Sequence, residues 1–313
     1  MSIPISLGRA LHQYHPDLLI SGAFGIPGFL GWLYTCQHRI PYVQWSGATL
    51  HREGQGGFFS AFTQSFLVRH ATACIAYGNA ACEYLVKAGG LPAKVVVGVN
   101  AVDNLFFLEK ADQARKELEA FKNIHHLQGI NFLYVGNLVP LKGLYEALNA
   151  FAQLRKEGQF HFHLVGKGPE EERLRHRAIQ LGLENQIHFW GTQPPERVPF
   201  YYALADVFVF PSLYDVWGLV LNEAMACGLP VIASSIAGAT RDLVVDGENG
   251  FVIDPRNEAQ FTEALKRLLL DADLRRKMGE RAAATIQAKA TIQHSVQAFM
   301  QAIQLAFQHY PTR

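Results

Sequence analysis

The sequence predicts an α/β protein built from two domains of parallel strands and covering helices. Short apolar strand candidates alternate with helical stretches along most of the chain, the pattern of parallel sheets covered on both faces. At 313 residues the chain is long enough for two such domains, each with its own core. No internal repeat or low-complexity segment interrupts the pattern.

Four strands are expected in the first part, at Asp17–Ser21, Tyr42–Trp45, Ala73–Tyr77 and Val95–Val99, each an apolar run closed by polar or glycine residues. Leu18 to Cys36 carries no charge, but its glycines and Pro27 break a membrane span, so it reads as strand, loop and buried helix. Phe58, Phe59, Phe62 and Phe66 recur at helical spacing and are expected in the core.

The boundary falls between Asn100 and Gly129, where Val102-Asp103-Asn104-Leu105-Phe106 leads into a charged helical stretch from Glu109 to Lys122. The domains are therefore drawn as 1–107, 108–290 and a final helix, 291–313, that returns to the first domain. In the second part the expected strands are Asn131–Val135, Phe160–Val165, Ile187–Trp190, Val207–Phe210, Val231–Ala233 and Phe251–Ile253, enough for a complete open sheet.

Composition narrows the function. Lysine plus arginine (28) nearly balances aspartate plus glutamate (27), so no polyanion-binding surface is expected and nucleic acid is excluded as a partner. Residues 1–100 are unusually apolar and poor in charge, which leaves deep burial, a lipid-linked substrate or a missing covering piece as open readings. Cys36, Cys74, Cys82 and Cys227 have neither CxxC spacing nor the density of a disulfide scaffold, and the N-terminus lacks a secretory pattern, so a cytoplasmic location is expected. No G-x-G-x-x-G follows the first strands, against a dinucleotide oxidoreductase.

In an open parallel sheet, ligands bind in loops beyond the carboxyl ends of the strands. The first such loop is Gly136-Asn137-Leu138-Val139-Pro140-Leu141-Lys142-Gly143. Lys142 falls where the next helix begins, a position unfavourable for a cation unless it meets an anion such as a diphosphate. Gly166-Lys167-Gly168-Pro169 and Gly191-Thr192-Gln193 follow the next two strands and are ordinary turns when taken alone. The fourth loop is the most informative. Pro211-Ser212 ends an apolar strand, and Leu219 to Cys227 is apolar on every side except at Asn222 and Glu223, so Glu223 should be buried and in need of partners. Asp215 reads either as the N-cap of this helix or as an acceptor for sugar hydroxyls. The N–H groups near Gly218, Leu219 and Val220 form a helix N-terminus suited to phosphate.

Together, G-x-L-x-x-x-K-G at Gly136–Gly143, V-G-x-G-P at Val165–Pro169, A-D-x-x-x-x-P-S at Ala205–Ser212, the acid pair Asp215 and Glu223, and E-A-M-A-C-G-L-P-V at Glu223–Val231 resemble the donor-binding half of the retaining GT-B glycosyltransferases of family GT4. The resemblance implies two Rossmann-like domains facing a cleft, with the N-terminal one incomplete at its start, and transfer of a hexose from a nucleoside diphosphate sugar, UDP or GDP, to a hydroxyl with retention of configuration. It assigns the diphosphate to Lys142 and the amides of Leu219 and Val220, the ribose to Glu223, and the donor sugar to Asp215; Gly136, Asn137, Gly166, Gly191, Pro211, Ser212 and Gly218 complete the nucleotide pocket. No metal is implied. The acceptor is a saccharide or lipid-linked hydroxyl, and further expectations are a peripheral contact with the inner face of a membrane and a partner that completes the N-terminal sheet. Two departures are plain: Asn137 replaces the arginine usual beside the lysine, and the first acid of the pair is an aspartate. Where similar enzymes place a histidine near the reacting sugar, Ser46-Gly47 stand here, and His51 is the substitute candidate. The rival reading is a truncated, non-catalytic nucleotide-binding remnant.

Overall fold

The computed structural model describes residues 5–50 and 58–310. The chain divides into two compact units, residues 1–100 with 292–313, and residues 101–291.

In the first unit, β1 (Leu19–Ser21), β2 (Tyr42–Ser46), β3 (Ala73–Ala76) and β4 (Val95–Val97) form a parallel sheet in sequence order. The connections carry α1 (Ile5–Tyr14), α2 (Ile26–His38), α3 (Phe58–His70) and α4 (Asn79–Lys87). Because successive strand residues point to opposite faces, Cys74 and Ala76 pack on one side with Tyr42, Leu67, Val68 and Leu85, while Ala73 and Ile75 pack on the other with Val43 and Val96.

Two expectations for this unit need correction. The helix after Leu18 is not simply buried: α2 buries Gly28, Gly31, Tyr34 and Thr35 and leaves Phe29, Leu30 and Leu33 exposed, because its small residues are the ones that let it approach its neighbours. Of the spaced phenylalanines, Phe66 packs against the core, whereas Phe62 is 60% exposed. Among the described residues no helix is long and apolar enough to cross a membrane.

The second unit opens with α5 (Asn104–Ile124), whose first turn is capped by Asp103 Oδ1 accepting the Phe106 N–H at 3.1 Å. Six parallel strands follow: β5 (Ile130–Val135), β6 (Phe160–Val165), β7 (Ile187–Gly191), β8 (Val207–Phe210), β9 (Val231–Ser234) and β10 (Gly250–Ile253). Their spatial order is β10-β9-β8-β5-β6-β7. The chain therefore winds outward from β5 in one direction, returns, and winds outward from β8 in the other. The reversal lies between β5 and β8, which pair directly through Phe132 with Val207 and Leu133 with Phe208.

Helices α6 (Leu144–Ala152), α7 (Glu171–Gln180), α8 (Val198–Leu204), α9 (Leu219–Ala226), α10 (Gly238–Leu243), α11 (Glu258–Leu270) and α12 (Ala272–Lys289) cover this sheet. One core face gathers Phe132, Phe151, Phe162, Leu164, Phe261 and Leu265, all wholly buried. The last helix, α13 (Ile292–Gln308), belongs to the first unit and sets Ala298, Ala302 and Ala306, spaced by four, against Val43, Ile75 and Val96.

Candidate functional site

The strand reversal places two loops side by side at the carboxyl end of the second sheet, the one after β5 and the one after β8. Such a switch point opens a crevice for ligands because neighbouring crossovers leave in opposite directions. Backbone hydrogen bonds join the two loops, from Leu213 N–H and Tyr214 N–H to the Leu141 carbonyl at 2.9 and 3.3 Å. Gly143 makes the approach possible. Its φ is +65°, and a Cβ there would lie 2.0 Å from the Pro211 carbonyl oxygen. The loop after β6 joins the same assembly: Leu138 N–H bonds to the Lys167 carbonyl at 3.0 Å, and a Cβ on Gly166 would lie 1.9 Å from the Gly136 carbonyl oxygen.

Across this junction Lys142 Nζ and Asp215 Oδ2 form an ion pair at 2.5 Å, with both side chains largely shielded. The other oxygen of Asp215 accepts the Trp217 backbone N–H at 3.1 Å. Asp215 is therefore not the N-cap of α9. That position is Gly218, whose φ of +98° reverses the chain and which has no side chain to cap with. The first N–H groups of α9, near Leu219 and Val220, thus have no side-chain cap, and they adjoin the ion pair in sequence. Lys142 precedes α6 in a short 3-10 turn, Pro140–Lys142, rather than within the helix itself.

Glu223 lies one turn into α9 and makes its hydrogen bond elsewhere: Tyr202 Oη of α8 donates to Oε2 at 2.7 Å. Burial raises the Glu223 pKa, and the tyrosine hydrogen bond acts in the opposite sense by favouring the charged form. Tyr202 is itself buried, and its pKa is pushed well above the ordinary range by desolvation and by the neighbouring carboxylate. On the opposite turn, Trp217 Nε1 donates to Asn222 Oδ1 at 3.0 Å, which satisfies the second polar residue of the apolar helix. Tyr134 completes the floor: its hydroxyl donates to the Asn137 carbonyl at 2.9 Å, and its pKa is raised by burial and by Asp215.

The remaining candidates fall as follows. Gly136 and Asn137 lie in the loop after β5, Gly166 after β6, and Gly191 at the end of β7, where the space beyond its Cα is open. Pro211 and Ser212 are buried beneath the β8 loop, and Ser212 Oγ has no hydrogen-bond partner among the described residues. In the first unit Ser46 Oγ is buried and accepts the Ala48 N–H at 3.1 Å. His51 lies outside the described residues.

Sequence reasoning missed Tyr134, Tyr202, Trp217 and Asn222 as supports of the site. The alternating histidines of β6, His161 and His163, are not exposed strand positions either. His163 is wholly buried, bonded through Nε2 to Asn131 Oδ1 at 2.9 Å and through Nδ1 to Trp190 Nε1–H at 3.1 Å. His161 and His188 share a hydrogen bond of 2.9 Å beside it. The strand is interior and both of its faces are covered, so alternation of Phe and His does not mark an inside and an outside.

The two units have the Rossmann-like architecture of the GT-B fold. Anabaena Alr3699/HepE, solved in complex with UDP, superimposes with a TM-score of 0.80 at 23% identity, covering 95% of this chain and 82% of that one. The C-terminal domain of the group 1 glycosyl transferase LpcC from Francisella tularensis is matched over its whole length, at 27% identity and a TM-score of 0.54. Residues 115–285 match the model of glycosyl transferases group 1, and the chain belongs to that family. Among named relatives, D-inositol 3-phosphate glycosyltransferase of Acidothermus cellulolyticus is 36% identical over 162 residues, 49% of this chain and 36% of that enzyme. Alpha-D-kanosaminyltransferase of Streptomyces kanamyceticus is 28% identical over 290 residues, 91% of this chain and 72% of its own. The first match thus spans little more than a third of that relative's length.

Proposed function

We propose that the second unit binds the diphosphate of a nucleoside diphosphate sugar at the β5–β8 switch point, and that the chain transfers the hexose from it to an acceptor hydroxyl with retention of configuration. The observation that carries this reading is the ion pair of Lys142 and Asp215 at that point, beside a helix N-terminus with no side-chain cap. An ammonium and free N–H groups together suit a diphosphate, and charge-assisted hydrogen bonds of this kind contribute about 1.5–3 kcal/mol each.

In this reading Lys142 and the amides of Leu219 and Val220 hold the phosphates. Glu223, whose charged form the Tyr202 hydrogen bond favours against the effect of burial, accepts the ribose hydroxyls, and Asp215 receives a hydroxyl of the sugar. Anabaena HepE, solved with UDP and with UDP-glucose, supports a uridine donor by analogy of fold. The acceptor is a saccharide or lipid-linked hydroxyl.

Proton NMR of the protein with UDP-glucose or GDP-mannose tests the reaction without an acceptor, through slow donor hydrolysis. The expected result is sugar released first in the donor's own anomeric configuration, with the signal lost in Lys142→Ala. Release of the opposite anomer, or no turnover from protein that binds the nucleotide, contradicts the proposal; the second result favours the non-catalytic reading.

A further inference from the structure

Both carboxylate oxygens of Asp215 have protein partners. Oδ2 holds Lys142 Nζ at 2.5 Å and Oδ1 holds the Trp217 N–H at 3.1 Å, while the Asp215 carbonyl accepts the Gly238 N–H at 3.2 Å. The residue is thus fixed through its backbone and through one carboxylate oxygen. Lys142, by contrast, stands at the end of a flexible four-carbon stem, and its ammonium can move where the carboxylate cannot.

A diphosphate entering this junction would compete with Asp215 for the same ammonium. The side chains on both sides of the pair are about one-fifth exposed, so solvent screens the attraction between Lys142 and Asp215 only in part, and the ammonium is a contested partner. Transfer of the lysine to the diphosphate leaves Oδ2 without its ammonium and with an unfilled acceptor position. A sugar hydroxyl on the same ligand can fill it. A nucleoside diphosphate without the sugar cannot.

Building on the donor-site reading above, we propose that Lys142 is exchanged between Asp215 and the diphosphate, so that Asp215 acts as a counter-ion that weakens binding of the bare nucleoside diphosphate and favours the sugar-bearing donor. Before transfer, the freed Oδ2 accepts the sugar hydroxyl and the exchange is compensated. After transfer the sugar is gone, Oδ2 is unpaired, and Asp215 takes Lys142 back from the product. The aspartate thereby discriminates donor from product and promotes product release.

Calorimetry with UDP, GDP, ADP, inorganic pyrophosphate and UDP-glucose tests the exchange on the wild type, Asp215→Asn, Lys142→Ala and the double variant. Asparagine keeps an acceptor for the Trp217 N–H and removes the charge. Asp215→Asn should bind UDP and pyrophosphate about fivefold more tightly than the wild type, the factor expected from losing one partly shielded competitor. In the Lys142→Ala background the same change should alter affinity less than twofold, and the preference for UDP-glucose over UDP should fall in Asp215→Asn. Unchanged or weaker UDP binding by Asp215→Asn overturns the proposal, as does equal tightening with and without Lys142, which would mean simple repulsion. If asparagine disturbs the fold by circular dichroism, Asp215→Ser, which also offers an acceptor to Trp217, replaces it. Failure of the wild type and Asp215→Asn to bind any of the three nucleotides would instead defeat the donor-site reading itself.

Discussion

Acid should loosen the second unit through its histidines, and His188 gives the size of the effect. Burial, together with His161 and His125, holds its pKa down to about 4 from an ordinary 6.5, and His161 and the wholly buried His163 are shifted in the same direction, His163 also by Lys122. Above pH 6.5 these imidazoles are neutral in both the folded and the unfolded chain, and the stability is intact. As pH falls through 6.5 the unfolded chain takes up protons that the folded chain refuses, so stability is lost progressively down to the folded value near 4. For His188 the full shift corresponds to about 3 kcal/mol, which its partial exposure reduces to roughly 1.5 kcal/mol. In a unit of this size that is about 3–6 °C in melting temperature. Thermal unfolding at pH 7.5 and 4.0 should therefore show a smaller acid loss in His188→Gln than in the wild type by about that margin. Identical pH dependence of the two proteins would refute the claim that this buried cluster carries the acid sensitivity.

Other changes follow from single contacts. Glu223→Ala should weaken binding of the nucleotide about tenfold, ~1.4 kcal/mol, by calorimetry. Tyr202→Phe removes the hydrogen bond that favours the charged form of Glu223, so its pKa should rise further. Nucleotide affinity of that variant should then decline at a higher pH than in the wild type when titrated between pH 8 and 5. Gly143→Ala forces a side chain into a left-handed backbone and against the Pro211 carbonyl, and should cost about 2–4 kcal/mol in urea unfolding.

Much of the fold was legible because it is written locally. All ten strands were found within about two residues, since each is an apolar run ended by glycine, proline or a polar residue. The order of those strands was not, because the β5–β8 pairing joins residues some 75 positions apart and no local pattern encodes it. The contact between Lys142 and Asp215 depends on that pairing, which explains why both residues could be named as candidates while their partnership could not. The partial burial of Glu223 followed from its apolar neighbours on α9. Its partner did not, since Tyr202 lies on another helix and reads in sequence as one more aromatic in Phe200-Tyr201-Tyr202. Of the two readings of Asp215, the helix cap fails because the extra turn made by Val216, Trp217 and Gly218 moves the helix start beyond its reach. The partners of His163 are hidden from local sequence in the same way: Asn131 and Trp190 come from the two neighbouring strands.

The central claim is that a nucleoside diphosphate binds where Lys142 meets Asp215. Isothermal calorimetry of the wild type and Lys142→Ala with UDP, GDP and ADP tests it most directly. One of the three should bind the wild type, with affinity falling tenfold or more in Lys142→Ala. Binding of equal strength in both proteins would contradict the assignment of the diphosphate to this site.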